Sequence, residues 1–128
     1  MCKKIIFTTS LLLLFGLYVM YGQSSISVNS MQKILPQQKG IKRIETLNEL
    51  AWELQKPKGS VGIKNALEAL QLSEQENYYK GISNAHSRLG TIALKQENNV
   101  DAEAYMIKGL IVAKENNYDY GIGLKTIQ

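Results

Sequence analysis

The chain has few of the residues that build cross-linked, metal-binding and reactive sites. Its 128 residues include one cysteine, one histidine and two prolines. A single cysteine excludes an intramolecular disulfide framework, and one cysteine with one histidine is too little for a Cys/His zinc site. Two prolines exclude a proline-rich linker. The length allows one small domain, so a large multidomain enzyme is excluded as well.

Strong charge of one sign is also lacking. Lysine and arginine number 15 against 11 acidic residues, which gives a net charge of +4, and Lys3 and Lys4 belong to that count. The other basic residues are scattered among acidic ones and form no stripe. A nucleic-acid-binding domain gathers its basic residues on one face. We therefore expect no direct nucleic-acid binding by this segment.

Residues 1–22 have the pattern of a secretory signal peptide. Lys3 and Lys4 precede an uncharged apolar stretch, and Gly22 offers a small residue at the predicted cleavage position. The purely apolar core from Leu11 to Met20 is shorter than the ~20 residues that span a bilayer. We expect export across the inner membrane and a periplasmic or extracellular mature chain. An uncleaved membrane anchor is the alternative.

The chain divides further at Gly40. Residues 23–40 are rich in serine, glutamine and asparagine without a sustained apolar period, which predicts a flexible extension with at most one short turn of helix. Beyond it the sequence matches itself at a shift of forty, with Tyr78–Ile82 over Tyr118–Ile122. The predicted helical region is 41–128, with units at about 41–77 and 78–117 and an incomplete third at 118–128.

Each complete unit contains two amphipathic stripes, which predicts pairs of antiparallel helices and an all-α fold. In the first unit the stripes are Ile44, Leu47, Leu50, Ala51 and Leu54, then Ile63, Ala66, Leu67, Ala69, Leu70 and Leu72. In the second they are Ile82, Ala85, Leu89, Ala93 and Leu94, then Ala102, Met106, Gly109, Leu110 and Ala113.

These units resemble the tetratricopeptide repeat (TPR) family. Leu50-Ala51 and Leu89-Gly90 match the leucine and small residue of its helix A, and Ala69-Leu70 and Gly109-Leu110 match its helix B. The pitch of about forty, rather than the commoner 34, resembles the long-helix variety of these repeats. The family's closing proline is missing. The resemblance implies a TPR-like α-solenoid, with the small residues at close helix crossings.

No catalytic, cofactor or metal site is expected. His86 has Leu89 and Gly90 at the helical neighbour positions, where a metal ligand would be needed. Gly59–Gly62 and Gly81–Ser83 lack the Gly-x-Ser-x-Gly frame of a nucleophile elbow. Gly121-Ile122-Gly123 lacks the third glycine of a phosphate-binding loop. For the residues present, the sequence therefore predicts no enzyme.

The resemblance implies a concave groove along the inner faces of the A helices, which holds an extended peptide or a partner helix. The residues carried over to it are Asn48, Trp52, Lys56, Asn84, Ser87, Arg88, Thr91 and Lys95. Their amide, hydroxyl and cationic groups suit a peptide backbone or a carboxylate. Trp52 is either an exposed apolar anchor or packs under the neighbouring hairpin or the N-terminal segment.

Tyrosines recur just before helix A of the second and third units, at Tyr78, Tyr79, Tyr118 and Tyr120. Their recurrence favours a structural role between hairpins over a binding cage.

An export signal followed by long-pitch repeats resembles the N-terminal sensing region of bacterial membrane signalling proteins. Their repeats precede a transmembrane helix and a cytoplasmic histidine kinase or helix-turn-helix output. The resemblance implies an exported protein-protein interaction module. The alternatives are a stand-alone periplasmic scaffold or assembly factor, and the noncatalytic front of an enzyme. Since three hairpins are normally needed, we expect a fragment of a longer protein, or a chain that pairs with another.

Overall fold

A computed structural model describes residues 27–117, and these residues are all-α, as the apolar stripes predict. The helices are α1 (Val28–Ile34), α2 (Gly40–Leu54), α3 (Gly59–Gln75), α4 (Tyr79–Lys95) and α5 (Asn99–Glu115), and a short 3-10 turn (Leu35–Gln37) follows α1. The predicted signal peptide and the predicted third unit lie outside the described residues. Between residues 27 and 117, no helix has the length and apolar character needed to cross a membrane.

Helix α1 corrects the prediction of at most one short turn before residue 40. Val28, Met31 and Leu35 are three and four residues apart, so they share one helical face, but this stripe is too short to stand out in the sequence. Met31 is only 4% exposed and packs with Leu50 and Leu54 of α2. The end of the predicted extension is therefore part of the hydrophobic core.

A polar clamp holds the 3-10 turn against α2 and α3. Arg43 donates from Nη1 to the carbonyl oxygen of Leu35 at 2.7 Å and from Nε to Glu68 Oε1 at 2.9 Å. The arginine fork can serve both acceptors because its N–H groups point in fixed, divergent directions. One side chain of α2 thus connects the segment before it to the helix after it.

Helices α1 to α5 pack in chain order, and α2 also packs against α4, while α3 and α5 make no contact with each other. Two buried clusters join α2, α3 and α4. One contains Ile44, Leu47, Ala69 and Ala85, and the other contains Ala51, Ala66 and Leu89. The structure therefore has α2 and α4 adjacent on one side and α3 and α5 separated on the other.

Left-handed residues end three of the helices at equal spacing along the chain. Asn77, Glu97 and Asn117 have φ values of 52°, 60° and 53° and follow α3, α4 and α5. The next amide closes the helix end after α3 and α4, as in the bond from Tyr78 N to the carbonyl oxygen of Ser73 at 2.8 Å. This conformation reverses the chain, so consecutive helices run antiparallel.

The second hairpin crosses closely at Gly90, as predicted. A Cβ added at Gly90 would lie 2.8 Å from Met106 Cγ and 3.2 Å from the carbonyl oxygen of Ala102, both in α5. In the first hairpin, a Cβ at Gly62 would lie 3.2 Å from the carbonyl oxygen of Ala51. Glycine at these crossings lets the helix axes approach more closely than larger residues allow.

Gly90→Leu is expected to lower the free energy of unfolding by about 1–3 kcal/mol, because the added side chain overpacks the α4–α5 crossing. Urea denaturation followed by circular dichroism measures this change. Gly59→Ala is the control, since a Cβ there meets its nearest atom, Gln96 Nε2, at an ordinary 3.5 Å. An unchanged midpoint for Gly90→Leu would refute the close crossing.

Candidate functional site

The candidate site lies where α2 and α4 run side by side. The guanidinium carbon of Arg88 on α4 lies 4.7 Å from the ring centroid of Trp52 on α2. Arg88 Nε also donates to the carbonyl oxygen of Asn48 at 3.3 Å. A cation over an indole face contributes about 0.5–1 kcal/mol at exposed sites. Arg88 thus connects the two helices and covers one face of the Trp52 ring.

Beside this pair, an open cleft of about 460 Å³ lies between the end of α2 and the end of α4. Its lining includes Trp52, Glu53, Lys56, Thr91 and Lys95. A second cleft of about 420 Å³ shares Lys56 and Lys95 and extends to the start of α3. Two lysines against one glutamate give the first cleft a positive balance.

The structure supports only part of the predicted groove. It brings Trp52, Lys56, Thr91 and Lys95 to one cleft and places Arg88 on the Trp52 ring. Trp52 is half-buried, so part of its side chain stays open to this cleft. Asn84 is half-buried in the first half of α4, away from the cleft lining.

The prediction that Asn48 and Ser87 line the groove is wrong. They are only 4% and 3% exposed and offer no accessible side chain. Asn48 Nδ2 donates to the carbonyl oxygen of Gly81 at 3.3 Å and so joins α2 to the start of α4. The carbonyl oxygen of Ser87 accepts a bond from Thr91 Oγ1 at 2.9 Å. Polarity in the sequence alone therefore does not separate accessible residues from buried helix-packing residues.

Sequence reasoning missed Glu53 and Gln55 in the lining of this cleft. Glu53 lies in the last turn of α2, and Gln55 directly follows the helix. Pro57 lines the same cleft. The sequence signal for these residues was Pro57, because a proline is common just past a helix end and so marks where α2 stops.

Tyr78 has the structural role that its recurrence predicts. Its hydroxyl donates to Glu45 Oε1 at 3.0 Å, and its ring packs on the cluster around Ile44 and Ala85. Tyr78 thereby joins the first hairpin to the start of the second. Tyr118 and Tyr120 lie outside the described residues.

His86 lies near a second surface feature on the far side of α4. The lining of this open cleft of about 400 Å³ combines His86, charged and polar groups, and apolar residues of α4 and α5; the charged and polar groups are Glu74, Lys108, Glu115 and Asn116. The His86 ring is almost fully buried, 6.1 Å from the Tyr105 ring, and its Nδ1 has no hydrogen-bond partner in the described region. Burial lowers the pKa of His86, Lys108 lowers it further, and Glu74 opposes them.

Burial and the contact with the Tyr105 ring give His86 a role in packing α4 against α5. Among residues 27–117, no group of three or more histidine, cysteine, aspartate or glutamate side chains is placed to hold a metal ion.

No protein-family model, curated protein or solved structure matches the chain. The resemblance to tetratricopeptide repeats therefore depends on the residues quoted above and on the helix arrangement.

Stability is expected to fall as the pH drops below the ordinary histidine pKa of 6.5. The pKa of His86 is lower in the folded chain than in the unfolded chain, so the unfolded chain binds the proton at a higher pH. The free energy of unfolding therefore decreases as the pH falls, until the pH is below the pKa of the folded chain. His86 is the only histidine in the chain. Urea denaturation should therefore give a lower free energy of unfolding at about pH 5.5 than at about pH 7.5. In His86→Gln this difference between the two pH values should be smaller. Equal decreases in both proteins would contradict this assignment.

Proposed function

We propose that the chain is a protein-protein interaction module built from tetratricopeptide-like helix hairpins, and that the α2–α4 groove binds an extended acidic segment of a partner protein. The observation that carries this proposal is the cleft lined by Lys56, Lys95 and the partly exposed Trp52. The proposal assigns no catalysis to the described residues.

The helix arrangement supports the repeat part of the proposal. Helices α2 and α3 begin at residues 40 and 59, and α4 and α5 begin at 79 and 99, so the second pair repeats the first at a nearly constant shift. Contact between α2 and α4, with α3 and α5 apart, tilts the second pair toward the α2 side. A stack of such pairs would curve with the α2 and α4 faces inside.

The lining groups suit an acidic, extended ligand. Lys56 and Lys95 can donate to carboxylates and to backbone carbonyls, and the free face of Trp52 can take an apolar side chain. Exposed ion pairs contribute only about 0.2–1 kcal/mol each, so recognition requires several contacts acting together. The cleft lining offers such a set in Trp52, Lys56, Thr91 and Lys95.

The proposal extends to location and context. The signal-peptide pattern of residues 1–22 supports export, and the family resemblance supports a sensing role ahead of a histidine kinase or helix-turn-helix output. A stand-alone periplasmic scaffold or assembly factor is the alternative. A later apolar run of about twenty residues in the same reading frame would favour the membrane-bound sensor, since only that protein needs a second membrane segment.

Trp52 is the single tryptophan, so its fluorescence reports on the cleft directly. Titration with a glutamate-rich decapeptide should change the emission, and a lysine-rich decapeptide should not. Lys56→Ala with Lys95→Ala is expected to weaken binding by about twofold to thirtyfold, the effect of losing two exposed ion pairs.

The matched control is Lys64→Ala with Lys114→Ala, which removes the same charge from exposed positions on α3 and α5. It should leave the affinity close to that of the parent. Equal weakening by the two double variants would show that net charge alone attracts the peptide. That result, or equal binding of the lysine-rich peptide, would refute the groove assignment.

A further inference from the structure

Helix α5 exposes a large side chain whose counterpart in the first unit is covered. Leu110 is 53% exposed. Its counterpart forty residues earlier, Leu70 of α3, is half-buried and packs with Ala85 and Leu89, which belong to α4. The difference follows from the neighbours, because α3 has a helix on each side and α5 has only α4 within the described region.

The end of α5 also matches the end of α3. Asn77, with φ 52°, turns the chain from α3 into α4, and Asn117, with φ 53°, has the same conformation at the end of α5. The residues that follow correspond as well, because Tyr78-Tyr79-Lys80-Gly81-Ile82 is repeated as Tyr118-Asp119-Tyr120-Gly121-Ile122. The same turn would direct the following segment back along α5.

The repeated glycine is the residue that this docking needs. A Cβ at Gly81 would collide with Ser73 Oγ of α3 and would lie 2.8 Å from Ile44 Cγ2 of α2. Gly121 is the counterpart of Gly81, and the small residue Ala113 of α5 is the counterpart of Ser73. A close approach between the segment and α5 is therefore sterically open at this point.

We propose that residues 119–128 dock on α5 as α4 docks on α3, and that they cover Leu110. The segment begins two residues after Asn117, so the chain itself holds it beside the exposed face, whereas a second copy would have to be recruited from solution. This inference is independent of the α2–α4 groove and of any ligand bound there.

Cysteine labelling of the full chain tests the docking. In a Cys2→Ser background, Leu110→Cys and Leu67→Cys each supply one thiol, and the labelling rate with a maleimide is measured for both. Leu67 is the reference position because it is 47% exposed on α3, close to the value for Leu110. If 119–128 cover position 110, we expect the thiol of Leu110→Cys to react at least about fivefold more slowly than that of Leu67→Cys, because labelling then requires local opening.

A matched pair of glycine variants then identifies the occupant. Added to Leu110→Cys, Gly121→Leu should raise the labelling rate to that of the Leu67→Cys reference. Gly123→Leu should leave the labelling rate slow. The counterpart of Gly123 is Ser83, which donates to the carbonyl oxygen of Gly109 on α5 and so faces away from α3. Both variants make the same change in helix propensity.

Fast labelling of Leu110→Cys without a glycine substitution would overturn the proposal. So would protection that Gly121→Leu does not relieve, since another segment would then cover the face. Protection that disappears on dilution would also overturn it, because it would identify a second copy as the occupant.

Discussion

The junction of α2, α3 and α4 around Gly81 is the constraint on which the rest of the arrangement depends. Gly81 has no space for a side chain between Ser73 and Ile44, and its carbonyl oxygen accepts the amide of Asn48. This contact brings the start of α4 against the middle of α2. Because helices are stiff, fixing that point also fixes where the remainder of α4 runs, including the position of Arg88 over Trp52.

The cleft follows from the same geometry. Helices α2 and α4 end near each other, and each C-terminus presents carbonyl oxygens with partial negative charge. Lysine side chains are favourable at such ends, which accounts for Lys56 and Lys95 without reference to a ligand. The proposed binding function depends instead on their position beside a partly exposed tryptophan, since an apolar side chain and two flexible cations line one open cleft.

The sequence predicted the parts of the fold that have a long apolar period. The stripes of α2 to α5 span about three turns each, and the structure has helices at those places. The length of helix α1 was underestimated because its apolar face has only three residues. Its stability comes from Met31 packing on α2. Burial of that kind depends on tertiary contacts, which local propensity does not encode.

The site was predicted less completely, for a related reason. The resemblance places all eight predicted residues on one side of the A helices, but it does not give the burial of each side chain. Asn48 and Ser87 are buried, whereas Thr91 and Lys95 lie closer to the end of α4 and line the open cleft. Tertiary packing thus decides which of these polar side chains are accessible.

The even spacing of Asn77, Glu97 and Asn117 has a consequence for how the length of this chain can change. One extra residue within a helix turns everything after it by about 100° around the helix axis, so the small residues would leave their crossings. Variation in length is therefore tolerated in the turns or in steps of a whole helix pair. Duplication of a complete helix pair would keep this phase, because the added pair would start from a helix end of the same conformation.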